Sequence, residues 1–198
     1  MGRVGRQRQV ARVPRLFAPT DPARGRDPLW LASNLPAGSV IIIRHYEWPP
    51  AARLELAREV LRLARPRRVR VTVARDVDVA IAARADGFHA PEALGHRIAA
   101  FRRVRPLGLC TMAAHGRKGI VAAARVGADA VLLSRVFASA SHPDAPAMGV
   151  TLLAGLVAES PVPVIALGGI ALANARRLTG SGVHGLAIVG GIAGFISR

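Results

Sequence analysis

Eight short apolar or β-branched runs, each followed by an Ala/Leu/Arg-rich segment with helical spacing, predict a single compact α/β barrel of the (β/α)8, or TIM, type. Two further observations agree. Ala, Val, Leu and Ile dominate while aromatic residues make up 4%, which suits helices packed on a parallel sheet better than a sandwich of aromatic pairs. The runs also lack in–out alternation, as parallel strands covered on both faces do. No Gly-x-Gly-x-x-Gly follows the first run, so a doubly wound open sheet has no support. At 198 residues the chain is short for the barrel, whose typical length is about 250.

Residues 1–13 mix Gly, Arg and Gln with no apolar face and read as a disordered basic arm, leaving residues 14–198 for the barrel. The strands are expected at Arg15–Ala18, Val40–Arg44, Val69–Val73, Gly87–His89, Leu107–Thr111, Ala130–Leu133, Val164–Leu167 and Gly185–Val189. The first helix lies within Pro28–Leu35. Pro50–Ala64 follows, with Leu54, Leu56, Ala57, Val60, Leu61 and Ala64 on one face and charges on the other. Val77–Ala83, Gly116–Val126, Val150–Glu159, Asn174–Leu178 and a final Ile192–Ile196 complete the set. Gly127-Ala128-Asp129 and Gly180-Ser181-Gly182 supply helix stops.

Charge and cysteine usage exclude several functions. The net charge is +16, almost all of it arginine, with Lys118 the only lysine. The densest stretches, Met1–Arg15, Arg62–Arg70 and Arg102–Arg105, carry no interleaved aromatics to stack on bases. A solvated basic surface explains them, and no nucleic-acid partner is expected. No apolar run reaches the roughly 18 residues of a membrane span, and no secretory signal is visible, so a cytoplasmic protein is expected. Cys110, alone, excludes an internal disulfide and a cysteine metal cluster and reads as a core thiol.

The strongest local chemistry lies near the end of the chain. Val164-Ile165-Ala166-Leu167 runs into Gly168-Gly169, and Leu186-Ala187-Ile188-Val189 runs into Gly190-Gly191, each pair opening a helix. Glycine lets backbone N–H groups approach an anion closely. Two such pairs at adjacent strand ends match the phosphate cup that barrels build after strands seven and eight.

In this order the segments resemble the thiamine phosphate synthase/TenI family from about Pro14 to Phe195. The resemblance rests on Thr20-Asp21, Ile43-Arg44-His45-Tyr46, Ala85-Asp86-Gly87-Phe88-His89, Ser134-Arg135-Val136-Phe137, the loop Ser141–Gly149 and Ala166-Leu167-Gly168-Gly169-Ile170. It implies a transferase of thiamine biosynthesis that joins a pyrimidine pyrophosphate to a thiazole phosphate, with Mg2+ assisting loss of pyrophosphate. TenI-type thiazole tautomerisation, or a barrel that binds thiazole or thiamine phosphate without turnover, are the alternatives. The resemblance makes Arg44 the pyrophosphate grip. It puts His115 where the tautomerases carry a histidine and His142 where the synthases carry a lysine. Ser134, Ser139 and Ser141 join the four glycines as phosphate and substrate contacts. Tyr46 stands where the family has a second cation. The family's Asn-Asp after strand three falls on Ala74-Arg75, leaving Asp76, one residue on, as the candidate metal ligand and Glu92 as a second. Homo-oligomerisation stays open.

Plainer roles compete at several positions. Arg44 also suits a rim salt bridge, Asp76 a helix N-cap, and His115 a helix-start residue facing solvent. His45 is expected to pack outward beside Tyr46, His89 to be buried and hydrogen-bonded, and Asp78 and Lys118 to lie on helix surfaces.

Overall fold

The computed structural model describes residues 13–138 and 146–196. Eight parallel strands form a closed barrel in sequential order: β1 (Leu16–Pro19), β2 (Val40–Ile43), β3 (Arg70–Ala74), β4 (Gly87–Ala90), β5 (Leu109–Ala114), β6 (Ala130–Ser134), β7 (Val164–Leu167) and β8 (Gly185–Ala187). The ring shuts where Leu16 pairs with Leu186 and Phe17 with Ala187. Helices follow the strands: α1 (Pro28–Asn34), α2 (Pro50–Ala64), α3 (Val77–Ala82), α4 (Arg97–Val104), α5 (Arg117–Arg125), α6 (Gly149–Ala158), α7 (Leu172–Ala175) and α8 (Ala193–Ile196). Among the described residues no helix is long and apolar enough to cross a membrane.

Two apolar layers hold the ring. Phe17, Val40, Ile42, Ala74, Leu109, Ala130, Leu132, Ile165 and Ala187 fill the interior. Their alternate neighbours, among them Ile41, Ile43, Val71, Val73, Phe88, Val131 and Leu133, pack outward under the helices. Both faces of the strands are therefore buried, which is why the sequence shows no alternation, and the few polar residues among them, Thr72, His89 and Thr111, are buried too. Val13, the last residue assigned to the arm from the sequence, belongs to the inner layer, and its carbonyl accepts from His184 Nε2 at 2.8 Å. The packed chain thus begins at least one residue before Pro14.

The Ala-Asp-Gly and Ala-Asp-Ala segments before β4 and β6 share a structural device. Asp86 Oδ2 accepts the N–H of Val71 at 2.9 Å, and Asp129 Oδ2 accepts that of Cys110 at 2.8 Å. Each carboxylate satisfies a backbone donor near the entry of the preceding strand and pairs with an arginine, Asp86 with Arg65 and Asp129 with Arg102. Strand β5 starts two residues later than the sequence suggested, because Leu107 sits in a turn and is 79% exposed. Strand β8 ends two residues early, at Ala187, although Ile188 still donates to Phe17 O. Cys110 is buried, and burial pushes its thiol up to about 12, so it is a core residue and not a nucleophile.

Replacing Asp129 by Ala leaves the Cys110 N–H and the Arg102 guanidinium without this acceptor. The expected loss is about 2–3 kcal/mol of unfolding free energy, read from the urea midpoint at constant m-value.

Candidate active site

All eight strands point their C-terminal ends to one rim, the end of this architecture where loops carry chemistry. A cavity of about 590 Å³, lined by Arg15, Glu159, Ser160, Val183 and His184 among others, opens at the opposite end and is no part of that rim.

The β7 and β8 ends carry the two glycine pairs. Leu167 and Ala187 are in register, so the loops leave the barrel side by side. Gly168 and Gly169 have φ of 102° and 64°, values that side chains rarely adopt. A Cβ at Gly169 would strike the carbonyls of Phe137 and Ala138, and one at Gly168 would strike Arg135. This pair is therefore pressed against the β6 loop. Phe137 N–H donates to Gly168 O at 3.0 Å, and Asn174 Nδ2 to Gly169 O at 2.8 Å. Gly190 and Gly191 are exposed, and a Cβ on Gly191 (φ 73°) would meet open space. Among the described residues, none of the four glycine N–H groups donates to a protein acceptor. Ser134 ends β6 beside Leu167 and continues the inward alternation of Ala130 and Leu132. Ser139, Ser141 and His142 lie outside the described residues.

Across the rim, Arg44 continues the inward alternation of Val40 and Ile42. Its Nε donates to Thr20 O at 2.7 Å and its Nη2 reaches Asp21 Oδ2 at 3.2 Å, with a quarter of the side chain exposed. Arg44 thus forms the rim ion pair, with its guanidinium on the inward face of β2. His45 is not packed outward as expected. A left-handed backbone (φ 28°) turns it in, and its Nδ1 meets the buried Thr20 hydroxyl at 3.0 Å. Burial, then the Arg44 charge, lowers its pKa.

Arg53, in the first turn of α2, is 5% exposed. It shares the buried stripe of Ala57, Val60, Leu61 and Ala64. Its Nη2 donates to Asp76 Oδ2 at 2.9 Å, while Nε and Nη1 are buried without a partner among the described residues. Asp76 Oδ1 caps α3, accepting from Asp78 N and Val79 N. Arg75 (φ 69°) is exposed, and its guanidinium carbon lies 5.9 Å from the Tyr46 ring centre. Desolvation raises the Tyr46 pKa, and the charges of Arg44, Arg75 and Arg53 oppose that rise.

Between these halves, Glu92 Oε2 accepts from His115 N at 3.1 Å and lies 2.8 Å from His115 Nδ1. A Cβ on Gly119 would sit 2.8 Å from Glu92 Oε1, so a bare α5 backbone gives the carboxylate its place. His115 is 68% exposed, its ring oriented by Glu92. That arrangement has the geometry of a base with an orienting acid. His89 is buried with Nδ1 at 2.8 Å from Thr111 Oγ1, and burial, then Arg44, lowers its pKa to about 4. Sequence reading missed Arg53 and the Glu92–His115 pair. A charge on the apolar stripe of α2 was the available signal for Arg53; nothing local links residues 92 and 115.

The metal-ligand candidates do not suit a divalent ion. Both Asp76 oxygens are engaged, one by helix amides and one by Arg53, and Glu92 Oε2 serves His115. Among the described residues no group of three or more His, Cys, Asp or Glu converges.

A family model described as thiamine monophosphate synthase matches residues 17–192. The chain is 35% identical over 158 residues to the thiamine-phosphate synthase of Laribacter hongkongensis, covering 77% of this chain and 72% of that one. It is 31% identical over 183 residues to the thiamine-phosphate synthase of Chloroflexus aurantiacus, covering 90% and 84%. The solved thiamine phosphate pyrophosphorylase of Pyrococcus furiosus superposes with a TM-score of 0.75 at 24% identity, covering 90% of this chain and 86% of that one, and shares the fold.

His89 makes stability depend on pH. With a folded pKa near 4 against 6.5 unfolded, its contribution is complete above pH 6.5 and is lost as pH falls toward 4. Between pH 7 and 4.5 the native chain should lose about 2–3 kcal/mol more stability than His89→Asn, measured by urea titration at each pH.

Proposed function

The chain belongs to the thiamine monophosphate synthase family, and from that membership we propose that it is a transferase of thiamine biosynthesis, coupling a pyrimidine pyrophosphate to a thiazole phosphate at the C-terminal rim. Loss of pyrophosphate moves negative charge onto a departing polyanion while a second phosphate must stay fixed. The reaction therefore asks for one anion site at each side of the reacting carbon. In this reading Gly168, Gly169, Gly190 and Gly191 hold the thiazole phosphate through backbone N–H groups, with Ser134, Ser139 and Ser141 as hydroxyl donors. Arg44 grips the pyrophosphate, with His142 as a second contact. His115, oriented by Glu92, is the proton-transfer group. Mg2+ assists this reaction in the family. Because Asp76 and Glu92 are otherwise engaged here, no step is routed through a metal.

The observation that carries the reading is the set of four glycine N–H groups, without protein acceptors among the described residues and following adjacent paired strands. The pairing of His115 with Glu92 favours one second reading, thiazole tautomerisation, which needs a positioned base and no pyrophosphate.

Incubation of the purified protein with both precursors, with product followed by chromatography, separates these. Thiamine phosphate is the expected product, and Arg44→Ala should lower kcat/KM by about 100-fold or more. Interconversion of thiazole tautomers alone, abolished in His115→Gln, would favour the second reading. Melting-temperature shifts with either precursor and no product would mark a binding protein and contradict both.

A further inference from the structure

The rim between β2 and β3 holds three guanidiniums, Arg44, Arg53 and Arg75, against two carboxylates, Asp21 and Asp76. Each carboxylate is already paired, Asp21 with Arg44 and Asp76 with Arg53. The second pair cannot be released cheaply. The Arg53 side chain is 6% exposed, and Nε and Nη1 have no partner among the described residues, so Asp76 Oδ2 is the acceptor its charge depends on. A cation drawing Asp76 away would strand a buried guanidinium, among the more costly arrangements a protein interior can hold. Arg75 is the opposite case. It is exposed, projects beside Tyr46, and makes no salt bridge among the described residues.

From this arrangement we infer that the β2–β3 rim is a guanidinium subsite that takes the diphosphate end of a substrate directly, with no divalent cation between them. Arg75 and the free edge of Arg44 supply the charge and the forked donors that suit several phosphate oxygens at once. Arg53 acts at one remove. By occupying Asp76 it keeps that carboxylate from recruiting a metal, as Arg44 occupies Asp21. The identity of the anion rests on the function proposed above; the absence of a metal requirement rests on the Arg53–Asp76 pair.

Calorimetric titration of the full chain with inorganic pyrophosphate, in EDTA and in Mg2+ at matched ionic strength, tests this. Binding in EDTA should be at least as tight as in Mg2+. Arg75→Asn, chosen because asparagine accepts the left-handed backbone at this position, should weaken it by about tenfold or more. Orthophosphate should bind more weakly than pyrophosphate and be less affected by that substitution. Heat only in the presence of Mg2+, no binding in either buffer, or indifference to Arg75→Asn overturns the inference. Metal-free pyrophosphate binding without formation of thiamine phosphate would instead leave the subsite standing and remove the proposed activity.

Discussion

Closure of the sheet between β1 and β8 gathers the eight strand ends into one rim. Two register pairs join these strands, and the approach is close enough that a Cβ on Gly185 would strike the backbone of Arg15. Once closed, eight parallel strands deliver their following loops to one mouth, and side chains on alternate positions fill the interior. Thr20 after β1 and Arg44 after β2 become neighbours although 24 residues separate them. Gly168 and Gly190 follow the directly paired strands β7 and β8. An open sheet would leave β1 and β8 at opposite edges and split the arginine side from the glycine side.

In the proposed function the rim divides its work between two kinds of donor. On the β6–β8 side the donors are backbone N–H groups, those of the Gly168–Gly169 loop fixed by packing against the Phe137 and Ala138 carbonyls and by the Asn174 amide. They supply partial charge at little reorganisation cost. On the β1–β3 side, whole charges supply the field, held by Thr20, Asp21 and Asp76. Their reach shows in the buried histidines, since Arg44 adds to desolvation in keeping both His45 and His89 neutral. His115 and Glu92 stand between the two, where a proton would have to move.

Much of the scaffold was legible because its physics is local. Val164–Leu167 and Pro50–Ala64 fall where apolar runs and helical spacing put them. Errors came where a residue's environment is set from afar. Leu107 looks like strand but is exposed in a turn, and Val13 looks like arm but plugs the barrel floor. Helix α4 is framed by Arg97, Arg102 and Arg103, so its apolar face, Ile98 and Phe101, is short and easily overlooked. In the site, the glycine pairs and Arg44 were visible as strand-end signals. The pairings of Arg53 with Asp76 and of His115 with Glu92 join residues 23 apart in neighbouring strand–helix units, which come together only once the parallel strands pair.

Backbone amide NMR reads the central claim most directly: that one oxyanion is cradled by the main chain of the last two strand ends. With inorganic phosphate added to a 15N-labelled sample, the N–H resonances of Gly168, Gly169, Gly190 and Gly191 should shift downfield together along one saturable curve. Unmoved glycine signals, or two pairs saturating at different phosphate concentrations, would contradict a shared cradle.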